Sequence, residues 1–64
     1  MLINIENEKS KMNLSNNELA NKLNVSRKKL KKWIRCQEAI PASKLTKLSL
    51  IFGGCSVDYL LIRN

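Results

Sequence analysis

Apolar residues recur along this chain at helical rather than strand spacing, and the polar positions between them divide it into five short helices. No run alternates apolar and polar residues for long enough to make a strand. The first predicted helix spans roughly Ile3 to Lys11. Glu6 and Glu8 stand early in it and Lys9 and Lys11 late, the order a helix dipole favours. Ile3 and Ile5 are its only large apolar residues, so its stripe is the thinnest of the five. The second helix opens on Ser15-Asn16-Asn17-Glu18, a capping box in which the serine oxygen accepts from the Glu18 amide and the glutamate reaches back. Leu14 and Leu19 flank that cap as a hydrophobic staple, and Leu19, Ala20 and Leu23 share one face. Asn24 stands where the chain must turn, and asparagine tolerates the left-handed conformation better than most residues.

Ser26 caps the third predicted helix, Arg27 to about Arg35. At about 100° per residue, Leu30, Trp33 and Ile34 fall on one side. The centre of the opposite side carries Lys28, Lys32 and Arg35, flanked by Lys29 and Lys31. Ile40-Pro41 then interrupts the chain, because proline disfavours helix at the residue before it yet suits a first helical turn. A fourth helix, about Ala42 to Phe52, points Leu45, Leu48, Ile51 and Phe52 inward, and Gly53-Gly54 ends it. Ser56 caps a last helix running to about Ile62, with Asp58 near its positive end.

With 64 residues the chain is read as one domain, 1–64, with no linker, repeat or low-complexity segment. A domain this small buries only about 60% of the surface its unfolded chain exposes, which leaves no room for a deep catalytic cleft. Twelve basic against five acidic residues give a net charge of +7. That excess favours an anionic partner such as nucleic acid or a membrane surface, the other reading being a lysine-rich solvated face. Six of the twelve basic residues lie between Arg27 and Arg35. Like charges at four-residue spacing repel, which a solvated face has no reason to accept and a phosphate surface would relieve.

Other chemistry finds few residues to use. There is no histidine, and Cys36 and Cys55 form no metal pattern, so neither metal nor cofactor is expected. With a single aspartate and no cysteine–base arrangement, a nucleophile, base and orienting group cannot be assembled, and no enzyme is expected. Three aromatic residues are too few for a single-strand stacking platform, and Trp33 shares the apolar face of Leu30 and Ile34. The start, MLINIENEKS, has acids where a signal peptide needs an apolar run, and no stretch is apolar enough to cross a membrane. A cytoplasmic protein with two free thiols is expected.

Two short helices separated by about three residues, Leu23-Asn24-Val25, the first sharply capped and the second cationic on its outer face, have helix-turn-helix spacing. Ala20 is the small residue where such helices approach. A helix of about 10–12 Å diameter fits the major groove, where each base pair shows its own donor and acceptor pattern. The capped start of the second helix, near Asn16, can offer amides to a phosphate.

The run LSNNELANKLNVSRKKLKKW resembles the helix-turn-helix of the Cro/CI-like repressor family, also called the XRE family. The downstream IPASKLTKLSLIFGGCSVDYLL is similar to that family's fourth and fifth helices, so the resemblance covers about Leu14 to Leu61. It implies an all-α, compact five-helix lambda-repressor-like domain with its helix-turn-helix at about 16–35. It also implies a phage, mobile-element or bacterial regulator that binds double-stranded operator DNA, usually an inverted repeat, as a homodimer. By position, Arg27, Lys28 and Lys32 match the family's base-contacting residues, and Ser15 and Asn16 its phosphate contacts. Arg35 and Gln37 match the backbone-contacting turn after the third helix. Lys29 and Lys31 flank the basic face and are expected at phosphates. Arginine forms the bidentate guanine contact better than lysine, which singles out Arg27. Cys36 stands where the family usually has the glycine that ends the recognition helix, and carries strain if its backbone is left-handed. Asn24 replaces the turn glycine, and Gly53-Gly54 is one residue longer than the usual connection.

The expected function is therefore a sequence-specific double-stranded DNA-binding transcriptional regulator, a repressor, with no small-molecule ligand evident. The alternative is a protein-interaction module on the same fold, such as an antitoxin or regulatory partner. A cationic membrane-surface peptide predicts one broad lipid face, which several short capped helices do not provide. Residues Tyr59 to Ile62 exceed what one face of a short helix can bury, which leaves apolar surface for a dimer contact.

Overall fold

Side-chain caps set where the helices begin. In the computed structural model, which describes residues 1–63, five helices follow one another: α1 (Ile3–Lys11), α2 (Asn16–Leu23), α3 (Arg27–Ile34), α4 (Ala42–Ile51) and α5 (Val57–Leu60). Asn64, the last residue of the domain expected over 1–64, lies outside the described residues. No strand occurs among them. Ser15 Oγ accepts from the Glu18 amide at 3.1 Å while Glu18 Oε1 accepts from the Ser15 amide at 3.0 Å, which completes the capping box. Ser26 Oγ accepts from the Lys29 amide and Ser56 Oγ from the Tyr59 amide, each at 3.1 Å. α4 starts behind Pro41, its N-cap residue, whose side chain has no acceptor to offer the first amides.

Four of the helices end in one and the same way. Asn13 (φ 57°), Asn24 (φ 57°), Cys36 (φ 61°) and Gly53 (φ 83°) follow α1, α2, α3 and α4 in the left-handed region. After each, the next amide reaches back five residues: Leu14 to the Lys9 carbonyl, Val25 to Ala20, Gln37 to Lys32 and Gly54 to Ser49, at 2.7–3.0 Å. This is the Schellman closure, which satisfies carbonyls that a helix end leaves open. The sequence marked Asn24 and Gly53 for that role and made strain at Cys36 conditional on it. The condition is met. Asn13 was not marked.

Packing gathers one core from all five helices: Leu2, Ile5, Leu19, Ala20, Leu23, Leu30, Trp33, Ile34, Leu48, Phe52 and Leu60. Several expectations need correction. α1, with the thinnest stripe, is firmly anchored, because Leu2 lies just before it and adds to Ile5, both buried. The Leu2 amide also donates to the Ile34 carbonyl at 2.8 Å, and Asn4 Nδ2 to the Tyr59 carbonyl at 2.8 Å. α3 ends at Ile34 with Arg35 as its C-cap, so the turn between α2 and α3 is residues 24–26 and Leu23 belongs to α2. α4 ends at Ile51, with Leu45 and Ile51 only half-buried. α5 stops at Leu60 rather than Ile62, because only Leu60 finds the core, while Leu61 and Ile62 remain 42% and 54% exposed. Lys44 donates from Nζ to the Leu23 carbonyl at 2.8 Å and so ties α4 to the end of α2. The whole body measures 23 × 23 × 21 Å. No helix among the described residues is long and apolar enough to cross a membrane.

Candidate nucleic-acid interface

The surface of interest starts from the amphipathic order of α3. Leu30, Trp33 and Ile34 are buried, which fixes the rotation of the helix and turns Arg27, Lys28, Lys29, Lys31 and Lys32 outward, all exposed. Arg35, at the C-cap, is exposed as well. Eight helical residues make a rod about 12 Å long, comparable to the width of a major groove.

Among the described residues, only one of these cations forms a salt bridge. Lys29 Nζ lies 2.6 Å from Glu38 Oε2, both groups part-exposed, and that ion pair holds the Glu38 carboxyl below its ordinary value. The pair spans α3 and the segment after it, so Lys29 braces the exit of the helix. Arg27, Lys28, Lys31, Lys32 and Arg35 form no salt bridge among the described residues. Five unpaired cations therefore share one helix and its cap.

The start of α2 joins this surface on one flank. Asn16, Lys31 and Arg35 line a common depression of about 180 Å³ together with Glu6 and Ile34. Lys9 explains how Asn16 is held there. Its side chain, one of the two cations late in the first helix, is buried, bridging Glu6 at 3.0 Å and donating to Asn16 Oδ1. An ammonium is a donor only, so Oδ1 must face it. The two donors of Asn16 Nδ2 are left for another acceptor. The signal in the sequence was the spacing of Glu6 and Lys9, one helical turn apart; the contact with Asn16 crosses two helices and has no local signature.

Ser15, exposed at the N-cap, spends its oxygen lone pair on the Glu18 amide and keeps its hydroxyl proton to donate. Gln37 is exposed beyond Cys36, but on a different flank. It shares a groove with Trp33 and Glu38 rather than the depression with Asn16. The structure therefore brings Asn16, Lys31 and Arg35 together and places Lys29 and Gln37 with the Glu38 side. Comparison with protein-family models, curated proteins and solved structures finds no match to this chain.

Proposed function

We propose that the chain is a sequence-specific double-stranded DNA-binding regulator, a repressor, built on a lambda-repressor-like helix-turn-helix domain that reads the major groove with α3. The observation that carries this is the unpaired cationic face of α3. Arg27, Lys28, Lys31, Lys32 and Arg35 form no salt bridge among the described residues, while the opposite face locks the helix to the core. Phosphates would supply the missing countercharge and release condensed cations on binding. Arg27 and Lys28, in the first turn, and Lys32, one turn on, are assigned to base edges. Ser15, Asn16, Lys31, Arg35 and, more weakly, Lys29 and Gln37 are assigned to the backbone. The protein is assigned to the cytoplasm, where its thiols stay reduced.

A body 23 Å across covers only part of a DNA turn of about 34 Å, so one copy contacts one half-site. Leu50 at 71% exposure, with Leu61 and Ile62, gives apolar surface that a two-fold partner would cover. Selection of bound sequences from a random duplex pool, followed by titration across salt, tests this. Enrichment of an inverted repeat with half-sites about 10 bp apart is the expected result. Salt-sensitive binding with no enriched motif would reduce the role to phosphate gripping. No duplex binding at low salt would replace this reading with a protein-interaction module.

A further inference from the structure

Lys9 is the one buried charged side chain among the described residues. Burying an ammonium is costly unless acceptors replace its water. Glu6 supplies Oε1 at 3.1 Å and Oε2 at 3.0 Å, and Asn16 supplies Oδ1. Lys9 does not line the depression of Lys31 and Arg35, but Glu6 and Asn16 both do. Glu6 is enough to balance the charge. The contact with Asn16 has a separate effect, because it decides which end of that amide is held. A side-chain amide has an acceptor end and a donor end of nearly the same shape, and half a turn exchanges them. An ammonium has donors only, so it admits one orientation. With Oδ1 held, Nδ2 has no hydrogen-bond partner among the described residues, yet it is not sealed from solvent. The wall it belongs to also carries Lys31 and Arg35, which form no salt bridge there.

We propose that Lys9 is a positioning residue for duplex binding: its buried ammonium fixes the Asn16 amide so that Nδ2 donates to a backbone phosphate oxygen, while Lys9 itself never touches DNA. Without the ammonium the amide is free to present its oxygen, and an oxygen facing a phosphate repels it. The proposal rests on the DNA-binding reading of this surface. It adds a residue that is neither exposed nor part of α2 or α3.

Lys9→Met removes the ammonium and refills its place with a flexible apolar chain. Binding is read by fluorescence anisotropy on a labelled mixed-sequence duplex of roughly 20 bp at low salt, because a phosphate contact needs no particular sequence. Lys9→Met is expected to weaken binding about tenfold, the scale of one hydrogen bond to a charged group. In an Asn16→Ala background no amide remains to be oriented. There the same substitution is expected to cost about twofold, the effect of a Glu6 charge that Lys9 no longer offsets. In the free chain, the Asn16 side-chain carbonyl carbon is expected to move upfield in Lys9→Met, with the helical dichroism retained. Lys9→Leu repeats the series if the methionine variant does not fold. Failure of the unsubstituted chain to bind the duplex overturns the reading of the surface, and this proposal with it. Where the duplex is bound, three results overturn the proposal alone: unchanged affinity in Lys9→Met, equal losses in the two backgrounds, or an unmoved Asn16 resonance.

Discussion

Cys36 shows how one residue can hold a position against its own preference. Its φ of 61° is the left-handed region, where a Cβ costs about 1–2 kcal/mol and glycine is free of that penalty. The Schellman bond from Gln37 to Lys32 depends on that conformation. Cys36→Gly is accordingly expected to be more stable than Cys36→Ala by about 1 kcal/mol in urea unfolding, the reverse of the order inside a helix. Comparing those two variants removes the loss of the thiol from the result. Equal stability would show that the turn relaxes. At the interface the residues divide by what already occupies them. Arg27→Ala is expected to lose about 1–3 kcal/mol of operator affinity and relax preference at one base pair, read by selection on randomised duplexes. Lys31, unpaired, and Lys29, paired with Glu38, give a second contrast. Lys31→Ala is expected to weaken binding and lower the salt slope by about one, and Lys29→Ala to do less.

At the scale of elements, none of these helices exceeds ten residues, and helices this short are marginal alone. Caps and core contacts hold them. Ser26 Oγ on the Lys29 amide opens the helix that carries five of the twelve basic residues, which repel along one short rod. Ser26→Ala is expected to cost about 1 kcal/mol in stability, and Ser15→Ala a similar amount, since it dismantles a two-way box. Thermal unfolding checks both. A loss confined to Ser15→Ala would show that α3 is nucleated by its packing instead. The Ser15 box also draws the Glu18 carboxyl below its ordinary range, because the Ser15 amide donates to it.

For the molecule as a whole, surface charge sets the pH response. Glu8 is held low by Lys11 and then by the Tyr59 hydroxyl, Glu18 by Ser15 and Glu38 by Lys29. The unfolded chain therefore takes up these protons at higher pH than the folded one. The stabilisation they give is present above the ordinary value of 4.5 and lost as pH falls through their folded values. Tyr59, which donates to Glu8 at 2.9 Å, is raised by that bond, Lys11 by the same carboxylate, and Cys55 by burial. Their contributions are intact below the ordinary values and lost as pH rises through the folded ones. The unfolding midpoint is expected to be level between pH 4.5 and 9.0 and to fall on both sides. Tyr59→Phe should make the alkaline limb shallower. An unchanged limb would place the effect elsewhere.

The chain determines its local structure by itself, because each local choice depends on residues within one turn. Ser15 with Glu18, Ser26, Asn24, Pro41 and Gly53 place helix boundaries to within a residue or two, and Leu30, Trp33 and Ile34 fix the rotation of α3 and hence its outward charge. Tertiary packing decided what depends on a partner far along the chain. Leu2 and Ile5 became core because α1 lies between α3 and α5, although its own stripe is thin. Lys9 was drawn inside by Asn16 and Glu6, Lys44 was tied down by an open carbonyl at Leu23, and Lys29, still exposed, was paired by Glu38 beyond the helix end. α5 ended where apolar neighbours ran out. A side chain's periodicity predicts which way it points, but only the opposing surface decides whether a charge there is free, paired or buried.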